Sequence, residues 1–333
     1  MIVIISSENE FSTSDVIDWL LYYKVDFIRI NTDDQKSTFG ISTYIDNDKE
    51  SVIINYNSNK IILNEVTSFW YRRGGHFKFF KPVSKDVLNS TVLTKIINKD
   101  LTNENRTLSE FVHNIFTNSN NIFSIGDIST SLPNKLKILR EAKRCDIDIP
   151  KTLITDNKIE LEKFYNKCEN GIITKAIGES LHFVAESHFY SVFTEVLNNI
   201  KDIPDKFQPS LFQENINKSF EIRSFYLDGK TYSMAIMSQN NSKTKVDYRK
   251  YDEEIPNRFI PFNLPEDIQY KVKKLMENVG MDTGSLDFIY SQDKRYVFLE
   301  INPVGQFGMV SSPCNYNLEK LIALKLITDE RIK

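Results

Sequence analysis

The stretch 284–308, GSLDFIYSQDKRYVFLEINPVGQFG, decides how the rest of the chain is read. Its two halves, 286–290 and 296–301, are β-branched and aromatic runs around a polar segment, Ser291-Gln292-Asp293-Lys294. That pattern signals a hairpin. A turn centred between Asp293 and Lys294 sets Asp287 directly across from Glu300. Side chains alternate faces along a strand, so Asn302 points to the side that Glu300 occupies. Two carboxylates facing each other across a strand pair repel, and a hard divalent cation reverses the sign of that interaction. Mg2+ takes oxygen ligands and is usually held by one or two carboxylates plus substrate phosphates. Two carboxylates and an amide oxygen on one face read as a metal–phosphate platform or as the solvated polar face of an edge hairpin. Asn302-Pro303, with Gly305 and Gly308 following, favours a functional loop.

Composition bounds the class. The 333 residues are enough for two or three domains. With 41% apolar and 26% charged residues and a net charge of −3, the chain reads as an ordinary globular protein without a nucleic-acid footprint. Cys145, Cys168 and Cys314 form no CxxC and no Cys/His cluster, which argues for a reducing compartment and against disulfides or zinc. The start, MIVIISSENE, lacks a basic segment and reads as a first strand rather than a signal peptide. No apolar run approaches the about 20 residues of a membrane span. A soluble, cytoplasmic protein is expected.

Working outward, residues 1–6, 14–23 and 25–30 read as strand, helix and strand, with Ser14 as N-cap. This is the βαβ start of a parallel sheet. No GxGxxG follows the first strand, so a dinucleotide site is not supported. Residues 51–55 and 60–63 form a small hairpin, and 66–71 a strand ending in Trp70-Tyr71-Arg72-Arg73-Gly74-Gly75. Two arginines and two glycines there can receive an anionic group or make a solvated turn. Residues 87–116 read as helix, and the polar 117–121 as a first boundary.

A helix opens near Ser131-Leu132-Pro133-Asn134-Lys135; strands are expected at 149–154 and 171–175, the latter ending in Lys175, with a helix over 159–168 between them. Burying an ammonium costs energy without an anionic partner, although a lysine can also snorkel to water. The polar 204–209 marks a second boundary. Residues 210–216 are a strand, and 220–227 and 231–238 flank Asp228-Gly229, a two-residue hairpin signal. Residues 242–258 are basic and irregular, 266–279 form an amphipathic helix, and 318–327 a closing helix. His76, His113, His182 and His188 have no metal-ligand spacing, and GxSxG, HExxH and P-loop motifs are absent. The expected domains are 1–122, 123–206 and 207–333.

The ordered set Asn134-Lys135, Ile173-Thr174-Lys175, Gln213-Glu214-Asn215-Ile216, Glu221-Ile222-Arg223, Asp247-Tyr248-Arg249, Asp287, Glu300 and Asn302 resembles the ATP-grasp carboxylate ligases over essentially the full length. The resemblance implies an α/β (α+β) ATP-grasp fold, in which an N-terminal βαβ pre-grasp domain precedes two α+β domains gripping ATP. It implies that Lys135 and Lys175 contact ATP phosphates, that Gln213, Glu214, Asn215 and Ile216 border adenine, and that Glu221 binds ribose. Arg223 and Arg249 would face the phosphates and an acyl phosphate, and Asp287, Glu300 and Asn302 would hold Mg2+.

Trp70-Tyr71-Arg72-Arg73, Asp247-Tyr248-Arg249-Lys250-Tyr251 and Leu299-Glu300-Ile301-Asn302-Pro303-Val304-Gly305-Gln306-Phe307 resemble more closely the maturases of graspetides, the microviridin-like ω-ester and ω-amide peptides, in their grasp-with-spasm branch. Tyr248 departs from the Trp frequent there. This implies a precursor peptide, leader plus core, as substrate, with Arg72 and Arg73 toward it. It also implies a SPASM-type partner protein and a homodimer. An ATP-grasp ligase adding free amino acids to a small acid or protein tail, and a non-catalytic binding module, stay open beside it.

Overall fold

The computed structural model describes residues 1–178, 182–185, 188–191, 194–197, 199–201, 203–239 and 256–327, with 182–185 and 188–191 described through their backbone alone. Two compact units emerge: Met1–Leu132 with Gln306–Gly308 and Asn317–Lys333, and Pro133–Gly305 with Met309–Tyr316.

The first unit is built on a four-stranded parallel sheet in the order Phe27–Asn31, Ile2–Ser6, Ser68–Tyr71, Phe123–Ile125. Ile2, Val3, Ile4 and Ile5 are all buried, as the central strand of a sheet covered on both faces requires. The expected βαβ start is present, but its helix spans Phe11–Tyr22 and begins three residues earlier than Ser14. Ser14 does not cap it; its hydroxyl instead accepts from Arg29 Nη1 at 3.0 Å. The long helix is split into Lys85–Leu88 and Thr91–Asn118. Asn89 turns left-handed at φ +49°, and the Ser90 hydroxyl caps the second piece by accepting from Leu93 N. The hairpin Glu50–Tyr56/Asn59–Ile62 gains a third, largely exposed strand, Phe39–Ile45, whose mixed polar sequence carries no clear alternation.

The second unit holds two larger sheets. The first runs Glu195–Leu197, Ile172–Lys175, Lys206–Glu214, Thr152–Asn157. The other, fully antiparallel, runs Arg258–Phe262, Lys230–Met237, Lys218–Leu227, Thr283–Ser291, Tyr296–Asn302. Asp228 and Gly229 both take positive φ, 43° and 86°, the conformation a two-residue hairpin turn requires. One face of the five-stranded sheet buries Ile222, Leu286, Phe288, Phe298 and Ile301 against Ile138, Leu139 and Ala142 of the helix Lys135–Arg144. Ile268, Val272, Leu275 and Met276 of the helix Glu266–Asn278 complete that core. The strand Arg258–Phe262 begins where the stretch read from the sequence as irregular, 242–258, ends. Its Pro261 is tolerated because the strand is an edge. No described helix is long and apolar enough to cross a membrane, and all three cysteines are buried free thiols.

His113 carries a cost within the first unit. It is buried, stacked on Phe77 at 4.8 Å between ring centroids, with both ring nitrogens lacking hydrogen-bond partners. Burial, with His76 nearby, pushes its pKa down to about 3. The folded state keeps it neutral, whereas the unfolded chain protonates it near its ordinary 6.5. Stability from this site is therefore full above pH 6.5 and is lost as pH falls toward 3. The loss is at most about 1.4 kcal/mol per pH unit. His113→Phe should flatten the pH dependence of urea unfolding between pH 4.5 and 6.5 by one proton; an unchanged slope would contradict this account.

Candidate active site

Lys218–Leu227 and the hairpin beside it position the site. Arg223 pairs with Asp287, and Asp287 with Glu300, in adjacent ladder positions. Asp287 does face Glu300 as expected, but by a different route. The turn is one residue tighter than expected. Tyr290 opposes Tyr296, and Ser291 exchanges hydrogen bonds with Arg295 around a tip where Lys294 has φ +65°. A bulge between Asp287 and Phe288, opposite Leu299, restores the register. It also turns two consecutive residues, Leu299 and Glu300, into the cleft, while Phe298 and Ile301 on either side stay in the core.

The carboxylates are not left to repel. Arg223 Nη1 donates to both oxygens of Asp287 at 2.9 Å, and Lys135 Nζ lies 3.3 Å from Glu300 Oε2. Lys135 reaches there from the first turn of its helix, which Asn134 caps by accepting from Leu136 N and Lys137 N at 3.1 and 3.0 Å. Among described residues no group of three or more His, Cys, Asp or Glu gathers for a metal. The oxygen donors present are the two carboxylates and Asn302, which pairs with Ser285 at an exposed strand end. Carboxylate and amide oxygens are the donor chemistry that Mg2+ takes, so the set fits that ion.

Lys135, Asp287 and Glu300 line a cleft of about 400 Å3 together with Lys175, Gln213, Glu214, Asn215, Ile216 and Glu221, while Asn302 is not among its lining residues; the volume is within the size range of small-molecule sites. Nine sequence-predicted residues thus converge. Arg223 bonds the wall from Asp287, Arg249 lies outside the described residues, and Arg72 and Arg73 belong to the other unit. The Glu214 carboxylate accepts from Lys151 N at 3.0 Å and pairs with Lys151 Nζ at 3.5 Å. Gln213 donates to Thr152 Oγ1, while its buried Oε1 has no partner.

Sequence reasoning missed Lys218. It lines the cleft nearly buried, its Nζ 2.6 Å from Glu221 Oε1, while Ser238 donates to Glu221 Oε2 at 2.7 Å. Positions 218 and 221 fall on opposite faces of a regular strand. A register shift between Lys218 and Phe220 brings them together, and period-two reading cannot foresee it. Ile289 and Gln239 also line the cleft.

In the first unit, Glu10 is only 2% exposed. Its oxygens meet Arg72 Nη2 at 3.2 Å and Arg73 Nη1 at 3.0 Å; the Ser12 hydroxyl donates to it, and Gln306 Nε2 donates at 3.2 Å. Burial alone would raise the Glu10 carboxyl, but Arg72, Ser12 and Arg73 outweigh it and hold the group below the usual carboxylate range. Burial pushes the Arg72 guanidinium down to about 10, against the pull of Glu10, so both remain charged at neutral pH. Gly74 follows at φ +103°, where a Cβ would lie 2.5 Å from Thr32 Oγ1 and 2.8 Å from Ser6 O; only glycine fits.

The MvdD pre-ATP grasp domain family matches residues 1–91. No curated protein matches the chain in sequence. Among solved structures, a RiPP-associated ATP-grasp ligase from Chryseobacterium gregarium, in complex with ADP and a leader and core peptide, is 25% identical with a TM-score of 0.79. The match covers 98% of this chain and 94% of that one. The macrocyclase MdnC from Microcystis aeruginosa, bound with precursor peptide MdnA, is 24% identical with a TM-score of 0.74, covering 98% and 99%. The ATP-grasp ligase PsnB, complexed with minimal precursor, Mg and ADP, has a TM-score of 0.72 at 13% identity, covering 100% and 97%. With its first 91 residues matching a pre-ATP grasp domain and its full-length likeness to these structures, the chain has the ATP-grasp ligase fold and is similar to ligases and macrocyclases solved with precursor peptides.

Proposed function

We propose that this ligase phosphorylates an Asp or Glu side chain of a ribosomal precursor peptide and joins it to a Thr or Ser hydroxyl, or a Lys amine, of the same peptide. The observation that carries this reading is the convergence of Lys135, Lys175, Glu221, Asp287 and Glu300 on one cleft, in a chain similar over 98% of its length to a ligase complexed with ADP and a leader and core peptide. In this reading residues 123–206 form the lid domain, 207–333 carry the Mg2+ site, and 1–122 the pre-grasp domain. A homodimer, a SPASM-type partner protein and a cytoplasmic location belong to the same reading.

A carboxylate resists attack because its charge repels nucleophiles and oxide leaves poorly. One of its oxygens takes the γ-phosphoryl group from ATP, releasing ADP. The hydroxyl or amine then attacks the acyl carbon, the bond to phosphate breaks, and inorganic phosphate carries the charge away as the nucleophile loses its proton. Such chemistry needs positioning and charge neutralisation more than a protein nucleophile. Lys135 and Lys175 supply cations for the phosphates; Arg223, oriented by Asp287, and Arg249 neutralise the charge developing on the transferred group; Glu221, fixed by Lys218 and Ser238, orients the ribose. Mg2+, held by Asp287, Glu300 and Asn302, would supply further charge neutralisation at the phosphates.

Hydroxylamine added to enzyme, ATP, Mg2+ and a candidate precursor peptide rich in Thr/Ser and Asp/Glu should intercept the acyl phosphate. The expected product is a peptide hydroxamate formed with ADP release. ATP-independent modification, or no ATP consumption at all, would overturn the proposal.

A further inference from the structure

Both carboxylates of the hairpin pair are engaged by protein cations, and the two cations are held differently. Arg223 donates to Asp287 from a nearly buried position in the sheet. Lys135 Nζ lies 3.3 Å from Glu300 Oε2, and both of those side chains are partly open to the cleft, at 21% and 23% exposure. A guanidinium packed in a sheet stays where it is, whereas an ammonium on a flexible four-carbon stem can swing. The backbone beneath Lys135 need not move with it. Asn134 caps that helix by accepting from Leu136 N and Lys137 N, and Ile138 and Leu139, just beyond, are buried in the core.

We propose that Lys135 is the resident counter-ion of the metal seat. It positions Glu300 in the empty cleft and gives the carboxylate up when nucleotide phosphates draw its ammonium away, so that a divalent ion is accepted with or after the nucleotide and not before. The proposal deepens the ligase reading and rests on it for the identity of the metal and the nucleotide. Three observations carry it. The ammonium already sits on one of the two carboxylates, and a divalent cation on the same carboxylate would meet a like charge at short range in a partly buried site, where screening is weak. Among the described residues no third acidic, His or Cys ligand joins the pair, so an engaged Glu300 is a large part of the seat. Lys135 and Lys175 line the same cleft, where a polyphosphate offers the ammonium of Lys135 anionic oxygens in exchange for Glu300. The same phosphates complete the oxygen shell that Mg2+ usually takes from one or two carboxylates and its substrate.

The test is binding of Mn2+ alone, read from the EPR signal of the unbound ion, to nucleotide-free wild type, Lys135→Met, Lys135→Gln and Lys137→Met. Metal-free ADP affinity by calorimetry and melting temperature come from the same preparations. Lys137 is exposed on the same helical turn and does not line the cleft, so it reports the effect of losing a charge in general. Both Lys135 variants should bind Mn2+ at least tenfold tighter than wild type, Lys137→Met should stay within twofold of wild type, and adding Glu300→Gln to Lys135→Met should remove the gain. Lys135 variants that melt as folded proteins and bind Mn2+ within twofold of wild type would overturn the proposal. So would a gain that survives Glu300→Gln or is matched by Lys137→Met. ADP separates the two claims: ADP binding by wild type without the Mn2+ gain in the variants sinks the counter-ion role alone, whereas no ADP binding by wild type sinks the ligase reading.

Discussion

Glu300→Ala is expected to abolish turnover, by about 10^3-fold or more on the scale of losing a preorganised charge-stabilising group, while leaving the melting temperature nearly unchanged. Glu300 stands beside Lys135, whose side chain is 21% exposed; water can solvate that ammonium once its partner is gone. Asp287→Ala is a different experiment. Its carboxylate holds the guanidinium of Arg223, which is 7% exposed, by accepting from Nη1 on both oxygens. Truncating it removes the carboxylate partner of a nearly buried cation, which costs about 3–5 kcal/mol. Asp287→Asn, which keeps the shape and an acceptor oxygen, should cost less stability and still lose activity. Turnover and thermal melts on the three variants separate chemistry from folding. Full activity of the Glu300→Ala, Asp287→Asn double variant would remove the hairpin carboxylates from the site.

Arg72→Ala should be the most destabilising single change in the first unit. It leaves Glu10 buried without its nearest fully buried cation, again about 3–5 kcal/mol, or roughly 10 °C in melting temperature. Arg73→Ala, truncating the more exposed partner, should cost no more than about 1 kcal/mol. The stabilisation Glu10 provides follows its lowered carboxyl. It is present above the ordinary carboxylate range and lost as pH falls through the folded value, so the gap between wild type and Arg72→Ala should narrow in acid. Equal melting temperatures for the two arginine variants at neutral pH would refute the anchoring role of Arg72.

Much of this architecture was legible because its signals are local. Asp228-Gly229 between two apolar runs forms the turn it signals, and the parallel start follows from Ile2–Ser6 and the helix behind it. The convergence of Lys135, Lys175, Gln213 and Glu221 with the hairpin was legible only through the family resemblance, because those residues come together by tertiary packing that no local pattern encodes. Bulges hid the rest. Lys218 joins Glu221 only because the strand slips by one residue, and Glu300 reaches Asp287 only because the bulge at Leu299 offsets a tighter turn. Arg72 and Arg73, read as receiving an anionic group or making a solvated turn, meet the carboxylate of Glu10, 62 residues before Arg72. A carboxylate that far away in sequence is invisible to spacing arguments.

The most direct test of the central claim is intact mass spectrometry of a candidate precursor peptide rich in Thr/Ser and Asp/Glu, incubated with the enzyme, ATP and Mg2+. The account predicts loss of one water per ring, dependent on ATP, with the joined carboxylates protected from labelling reagents. An unchanged peptide mass while ATP is consumed and a free amino acid is incorporated elsewhere would contradict it.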